Sequence, residues 1–360
     1  MLSVKELLNR AEALTDSVQL VDRILRAGLI SGASDVHIDP QAHGVRVRFR
    51  IDGILEEVLR IPHAMQSALV SRLKVLSSLD IAERRAPQDG GFSWRMAGVG
   101  SMEPLDVRMA TLPVRHGERV TLRLLQSGGR RYSLDELGLS DDNRKVFDEV
   151  LNRPHGLVLL TGPTGSGKTT TLYAAILELL KRSSPNIITV EDPVEYEIPG
   201  VAQAEVDSAD KVNFSKALKS ILRHDPDVVM IGEIRDKDSL DAAVKASLTG
   251  HLVLSTLHTN DAKSAAQRLV DMGLEQALLS SVLRLVVAQR LVRKLCPKCQ
   301  AKTLEGACCS ECGGRGYRGR TGLFELYSPS DGLSTSMKQD ALNKIALGIT
   351  TPAEVARVLG

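Results

Sequence analysis

Residues 157–173, LVLLTGPTGSGKTTTLY, decide the reading of this chain. An apolar run breaks at Gly162 into the glycine-rich turn GPTGSGKT and resumes from Lys168 as a helix-forming stretch. A strand, a loop and a helix in that order are the context a phosphate-binding loop requires and a chance glycine turn lacks. Gly162, Gly165 and Gly167 let backbone amides curl around phosphate, Lys168 reaches the terminal phosphates, and the Thr169 hydroxyl suits a magnesium ion. Pro163, Thr164, Ser166 and Thr170 complete the nucleotide-binding segment.

Downstream, short apolar runs alternate with helical stretches: IITVED, a helix through FSKALKSILR, DVVMIGE, a helix through SLDAAVKASL, then LVLSTLHT. Continuous apolar strands separated by helices point to a parallel sheet covered on both faces. Phosphoryl transfer also needs carboxylates, to support the metal and to position water. Glu191, Asp192 and Glu195 fall at one strand's C-terminal end, where open α/β sheets place their ligand crevice. Glu233 ends the next, after Gly232, and suits polarising water. Any one of these acids taken alone reads more readily as a loop or helix-cap residue. Their recurrence at successive strand ends favours the catalytic reading. His251 and His258 bracket the following strand, which leaves them either as satisfied polar residues or as sensors on one crevice rim.

Upstream, Val18, Leu20, Val21, Ile24, Leu25 and Leu29 give a helical stripe over Ser17 to Ser31. DVHID, GVRVRFRID and GILEEVLRI alternate with period two between Asp-Pro and Asp-Gly, as strands and a hairpin do. A helix over His63 to Leu79 and the strand-like LDVRMATLP and RVTLRLL complete a small α+β domain, and QSGGRR opens a linker. Composition excludes several classes. The net charge is +2, from 46 basic and 44 acidic residues, so no bulk field recruits nucleic acid or anionic lipid. Aromatics are only 3%, leaving few platforms for stacking bases. Arg46, Arg48 and Arg50 alternate along one strand and read as a solvated face. There is no apolar run long enough to cross a bilayer and no signal-peptide core at the start, so the expected location is the cytoplasm.

All five cysteines lie between Cys296 and Cys312. Cys296 with Cys299 and Cys309 with Cys312 form two CxxC knuckles, a strong signal for tetrahedral zinc. Cys308 is adjacent, but its spacing fits less well. Four thiolates close the coordination shell, so the metal is expected to be structural, worth on the order of 10 kcal/mol of local folding energy.

In this order, the phosphate loop, TVEDPVEY, SILRHDPDVVMIGEIRD, GHLVLSTLHTNDA and CPKC…CSECGGRGYRGRTGLFEL closely resemble the ATPases that drive type II secretion and type IV pilus assembly. The resemblance runs from about Ser17 to near the C-terminus. It implies a PAS-like α+β domain over 17–126, a linker over 127–140, and a RecA-like ATPase domain over 141–360 with C-terminal helices and a zinc element at 296–312. Many members begin with a further membrane-docking domain, whereas here the segment 1–16 is short. Its VKELLNRAEAL is either a remnant docking helix or a solvated turn.

The resemblance further implies a homo-hexamer that hydrolyses ATP with Mg2+, carries Zn2+, and works on an inner-membrane platform protein from the inner face of the bacterial inner membrane. Glu233 would be the general base, Glu191, Asp192 and Glu195 the metal and water network, and His251 and His258 nucleotide sensors. Arg108 and Arg123 would contact phosphate, although the residues alone favour a strand-face ion pair for both. The zinc knuckles point to the assembly or secretion branch rather than the retraction branch. A RecA-like core with a zinc element also describes some nucleic-acid motors, but those carry a basic or aromatic track that is absent here. No nucleic-acid partner is expected.

Overall fold

Alternation in the first third of the sequence becomes a sheet with one buried face. The computed structural model describes residues 16–96, 104–126, 131–206, 214–301, 309–329 and 332–360. The segment 4–14 and Cys308 lie outside them. The chain divides into two compact units, Met1–Arg130 with Lys298–Arg318 and Arg131–Pro297 with Gly319–Gly360.

The first unit is an antiparallel sheet with helices on its apolar face. Strands β1 (Ala33–Gln41), β2 (Gly44–Ile51), β3 (Ile54–Ile61), β4 (Gln88–Trp94), β5 (Leu105–Val114) and β6 (Gly117–Gln126) lie in the order β3-β2-β1-β6-β5-β4. Val45, Val47, Phe49 and Ile51 of β2 and Val107 and Met109 of β5 point into the core. The helix Ser17–Ser31 adds Leu20, Val21, Ile24 and Leu25 to that core. Asp16 caps its start by accepting from the Val18 N–H, and Gly32 ends it in the left-handed conformation, which glycine adopts at low cost. The stretch His63 to Leu79 is helical only over Gln66–Leu76, after a 3-10 turn at His63–Met65.

The other face of this sheet is charged. Asp39 binds Arg48 at 2.6 Å and Arg119 at 3.1 Å, and Asp35 binds Arg123 at 3.1 Å. Of the three alternate arginines, Arg48 and, at 3.8 Å, Arg50 therefore meet the aspartates of DVHID instead of standing free in solvent.

The second unit holds an eight-stranded sheet in the order β14-β13-β12-β7-β11-β10-β8-β9. Its strands are β7 (Gly156–Thr161), β8 (Ile187–Glu191), β9 (Ala202–Glu205), β10 (Val228–Ile231), β11 (Leu252–Leu257), β12 (Leu283–Leu295), β13 (Tyr317–Ser328) and β14 (Gly332–Thr335). From β12 to β9 neighbouring strands run parallel. Every residue of β7, β8, β10 and β11 is buried, as expected of a sheet clad by helices on both faces. The helices include Asp141–Leu151, Lys168–Ser183, Lys237–Leu248 and Ala262–Asp271, with Met337–Ala346 and Pro352–Leu359 near the C-terminus. The protein is thus mixed α/β. Among the described residues no helix is long and apolar enough to cross a membrane.

Candidate functional site

The parallel strands deliver their loops to one sheet edge. β7 ends at Thr161 and passes through the phosphate loop into the helix Lys168–Ser183. Gly162, Gly165 and Gly167 have φ of 147°, 78° and 90°. Two of them are also hemmed in. A Cβ at Gly162 would stand 2.5 Å from the Gln289 carbonyl oxygen, and one at Gly167 would stand 2.8 Å from Gln289 Nε2. Gln289 is 2% exposed and accepts from the Thr171 hydroxyl at 2.8 Å, so the middle of β12 backs the loop. Lys168 Nζ donates to the carbonyls of Gly162 at 2.7 Å and Pro163 at 3.2 Å. Burial, helped by the Arg290 charge, pushes the Lys168 ammonium down to about 8.

The loop fits a nucleotide on its own chemistry. Glycines occupy the positions where any side chain would fill the cradle. The Ser166 hydroxyl is buried with no hydrogen-bond partner among the described residues, and an unsatisfied polar atom in such a place calls for a ligand. Thr169, half-buried in the first helical turn, follows Lys168 directly, where a phosphate-bound magnesium ion would find it.

Next to the loop, β10 presents Glu233. One of its carboxylate oxygens is bound by Arg235 Nε, and the other lies 3.2 Å from His258 Nε2. Arg235 Nη1 reaches Asp192 Oδ2 at 3.5 Å, so the ends of β8 and β10 meet around one guanidinium, and β11 joins them through His258 on Glu233. Partial burial, then the charges of Lys168 and Arg235, holds the His258 imidazole below its usual range, so at neutral pH it faces Glu233 as a neutral donor. The Thr161 and Thr259 hydroxyls bond at 2.6 Å and tie the loop that follows His258 to the base of the phosphate loop.

Two of the expected residues are placed differently. Glu191 is buried at 3% exposure and points into the sheet. Its carboxylate accepts from the Tyr173 hydroxyl, from Thr189 Oγ1 at 2.6 Å and from Gln203 Nε2 at 3.1 Å. Burial and the Glu191 carboxylate together push the Tyr173 phenol upward, so it stays a donor. Held by these three donors, Glu191 ties the helix Lys168–Ser183 to the ends of β8 and β9. His251 and His258 do not share a rim within one chain. His251 precedes β11 and its backbone carbonyl accepts from Gly156, at the start of β7, while Leu257 is paired with Thr161 at the other end. Six residues of strand separate the two histidines, roughly 20 Å. His251 bonds locally instead, to the Ala246 carbonyl at 2.9 Å and the Thr249 hydroxyl at 3.1 Å. Asp192 and Glu195 are both exposed.

Arg108 and Arg123 stand directly opposite one another on β5 and β6. Arg123 carries the ion pair with Asp35, and among the described residues Arg108 has none. Like charges in register disfavour the sheet, a cost that an anion contacting both would remove.

Cys296, Cys299, Cys309 and Cys312 converge, with their Sγ atoms all within 4.8 Å of one another and every one buried. The Cys299 and Cys312 sulfurs are 3.6 Å apart. That is too long for a disulfide, about 2.05 Å, and close to the edge of roughly 3.8 Å that four Zn–S bonds of about 2.3 Å define. The Gly316 N–H donates to Cys312 Sγ at 3.3 Å, an outer hydrogen bond of the kind that settles a metal thiolate. The donor set fits zinc.

A phosphate loop, a glutamate at the end of β10, a histidine beside it and a tetracysteine knuckle in one chain match a described family, Type II/IV secretion system protein, over residues 11–352. The chain belongs to this family. It is 46% identical to the type II secretion system protein E of Pectobacterium carotovorum subsp. carotovorum, over 95% of this chain and 75% of that one. To the type II secretion system ATPase E of Vibrio cholerae serotype O1 it is 45% identical, at the same coverages. To the type IV pilus assembly ATPase PilB of Myxococcus xanthus it is 41% identical, over 94% of this chain and 67% of that one. Among solved structures, the pilus retraction motor PilT with bound ADP superposes with a TM-score of 0.58 at 29% identity, covering 94% of this chain and 92% of that one. The ATPase DotB of Legionella pneumophila superposes with a TM-score of 0.72 at 22% identity, covering 96% of each, which shows a common fold.

Tyr173, Arg235 and Thr259 lie inside the motifs of this secretion family without being singled out by them, and Gln289 and Arg290 lie outside those motifs. Gln289 and Arg290 lie on a thirteen-residue strand whose sequence, LRLVVAQRLVRKL, carries no glycine or acidic mark.

Proposed function

We propose that this secretion-family protein is an ATP hydrolase that works as a homo-hexameric motor. It drives an inner-membrane platform protein to assemble a type IV pilus or a type II secretion pseudopilus. The observation that carries the reading is Glu233, held at the mouth of a phosphate loop by His258 and Arg235. Bound ATP with Mg2+ supplies the phosphoanhydride and the counter-charge. The residues of the chain do the rest. Backbone amides of the loop and Lys168 hold the phosphates. Glu233 accepts the proton of the attacking water, giving ADP, phosphate and a glutamic acid that returns its proton to solvent. Neutral His258 donates to Glu233 and fixes its orientation, and Asp192 holds Arg235 in reach of both. Arg108 and Arg123, in register on one strand pair, suit contact with phosphate in a ring. Four thiolates holding zinc act structurally.

The test is steady-state ATP hydrolysis by wild type and Glu233→Gln, with nucleotide binding measured alongside. Loss of a general base lowers the rate by about 10²- to 10⁴-fold, and the amide leaves nucleotide affinity largely intact. Equal rates would remove Glu233 from this role. Cross-linking of the Glu233→Gln form in its own cells distinguishes the cargo. A polytopic inner-membrane protein with pilin-like neighbours is expected, and recovery of DNA or RNA alone would replace the motor by a nucleic-acid translocase.

A further inference from the structure

Arg290 follows Gln289 on β12 and lies against the phosphate loop. Its Nη1 is 3.1 Å from the place a Cβ at Gly162 would take, and Lys168 Nζ donates to the carbonyl of the same glycine at 2.7 Å. Two cations therefore converge on Gly162. What Arg290 binds does not balance its charge. Nη1 donates to the Gln289 carbonyl at 3.0 Å and Nη2 to the Asn260 carbonyl at 2.8 Å, and both acceptors are neutral. The carboxylates that act on it electrostatically are Asp261 and Glu325, but among the described residues neither forms an ion pair with it, and both accept from backbone N–H groups. Asp261 caps the helix Ala262–Asp271 by accepting from the Ser264 N–H at 2.7 Å. Glu325 accepts from the Ala262 N–H at 3.0 Å and the Met337 N–H at 3.4 Å.

A buried lysine and a half-buried arginine side by side, neither in an ion pair among the described residues, repel one another, and a polyvalent anion between them reverses the sign of the interaction. Resting on the nucleotide reading above, we infer that Arg290 is a further phosphate ligand of this site. It is supplied by the same chain as Lys168 and contacts the terminal phosphates of a bound nucleoside triphosphate. The guanidinium fork suits two phosphate oxygens at once. Its neighbour Gln289 fixes the distance, because its carbonyl limits how closely Gly162 approaches and its side chain holds Thr171. Since Arg290 Nη2 also rests on Asn260, two residues beyond His258, occupation of the phosphates would be felt by the loop that orients Glu233. Arg290 is therefore expected to discriminate triphosphate from diphosphate.

The test is equilibrium binding of fluorescent ATP and ADP analogues to the full chain, as wild type, Arg290→Lys, Arg290→Gln and Lys168→Ala, with thermal melts to verify folding. Arg290→Gln is expected to weaken ATP-analogue binding about 10- to 100-fold, the loss typical of a charged hydrogen-bonding partner, and ADP-analogue binding by less than about threefold. Arg290→Lys, which keeps the charge and loses the fork, is expected to fall between. Equal losses for the two nucleotides would make Arg290 a support of the loop and overturn the inference, as would wild-type binding by both Arg290 variants while Lys168→Ala fails to bind. Full binding by Lys168→Ala would instead overturn the nucleotide reading itself. Should Arg290→Gln melt early, Arg290→Lys alone decides, by whether its ATP-to-ADP preference drops.

Discussion

The two sheets put their chemistry in different places. In the first, β2 and β5 bury every second residue and the charge lies across a face, where Asp35 and Asp39 each serve two arginines. In the second, four strands have no exposed residue, so charged groups are confined to the strand ends, and Lys168, Asp192, Glu233 and His258 gather at one edge. An alternating strand can change a charged residue and keep its core, because the two faces are separate. A strand buried on both faces has no such freedom, and its functional groups must sit where it stops.

The contrast can be broken by experiment. Leu159→Ala in β7, 0% exposed, should cost about 3 kcal/mol, read as a lower urea midpoint with an unchanged slope. An intermediate effect should come from titrating the edge. Lys168 has been lowered from the ordinary lysine range to about 8 by burial and by Arg290. Its charged fraction, and with it nucleotide affinity, should decline as pH rises from 7 to 9, by up to about tenfold. The charged neighbour is Arg290, and His258 is already neutral across that window. Affinity that holds steady to pH 9 would show that Lys168 keeps its proton. The smallest effect belongs to the charged face. Arg48→Ala removes one partner of Asp39, but Arg119 remains at 3.1 Å, so the loss should stay below about 1 kcal/mol. A larger one would mean that the face carries structure as well as charge.

Legibility in the sequence followed the same division. The helix Ser17–Ser31 and the strands of both sheets that bear clear periodicity were readable from apolar spacing alone. β4 was not, since QDGGFSW has no apolar rhythm. Its Gly90 is there for packing, because a Cβ would lie 2.8 Å from the Ser77 carbonyl oxygen. At the site, glycine spacing marked the phosphate loop, and strand-end position marked Glu233. The direction in which Glu191 points was hidden, because an acid at the end of a strand looks the same whether it turns outward or is captured by a tyrosine on a neighbouring helix. Gln289 and Arg290 were hidden for a related reason: they act through a loop more than a hundred residues earlier, and only the pairing of β12 with β7 brings them there.

The capture of Glu191 has a consequence for how this protein changes over time. Tyr173, Thr189 and Gln203 all donate to one buried carboxylate, and a buried charge that loses a partner is costly. Replacing Glu191 alone strands the buried Tyr173 and Thr189 hydroxyls, and replacing a donor alone leaves the buried carboxylate with fewer partners. They should be inherited as a set, so that a relative lacking the tyrosine also lacks the glutamate, with apolar side chains filling the same space.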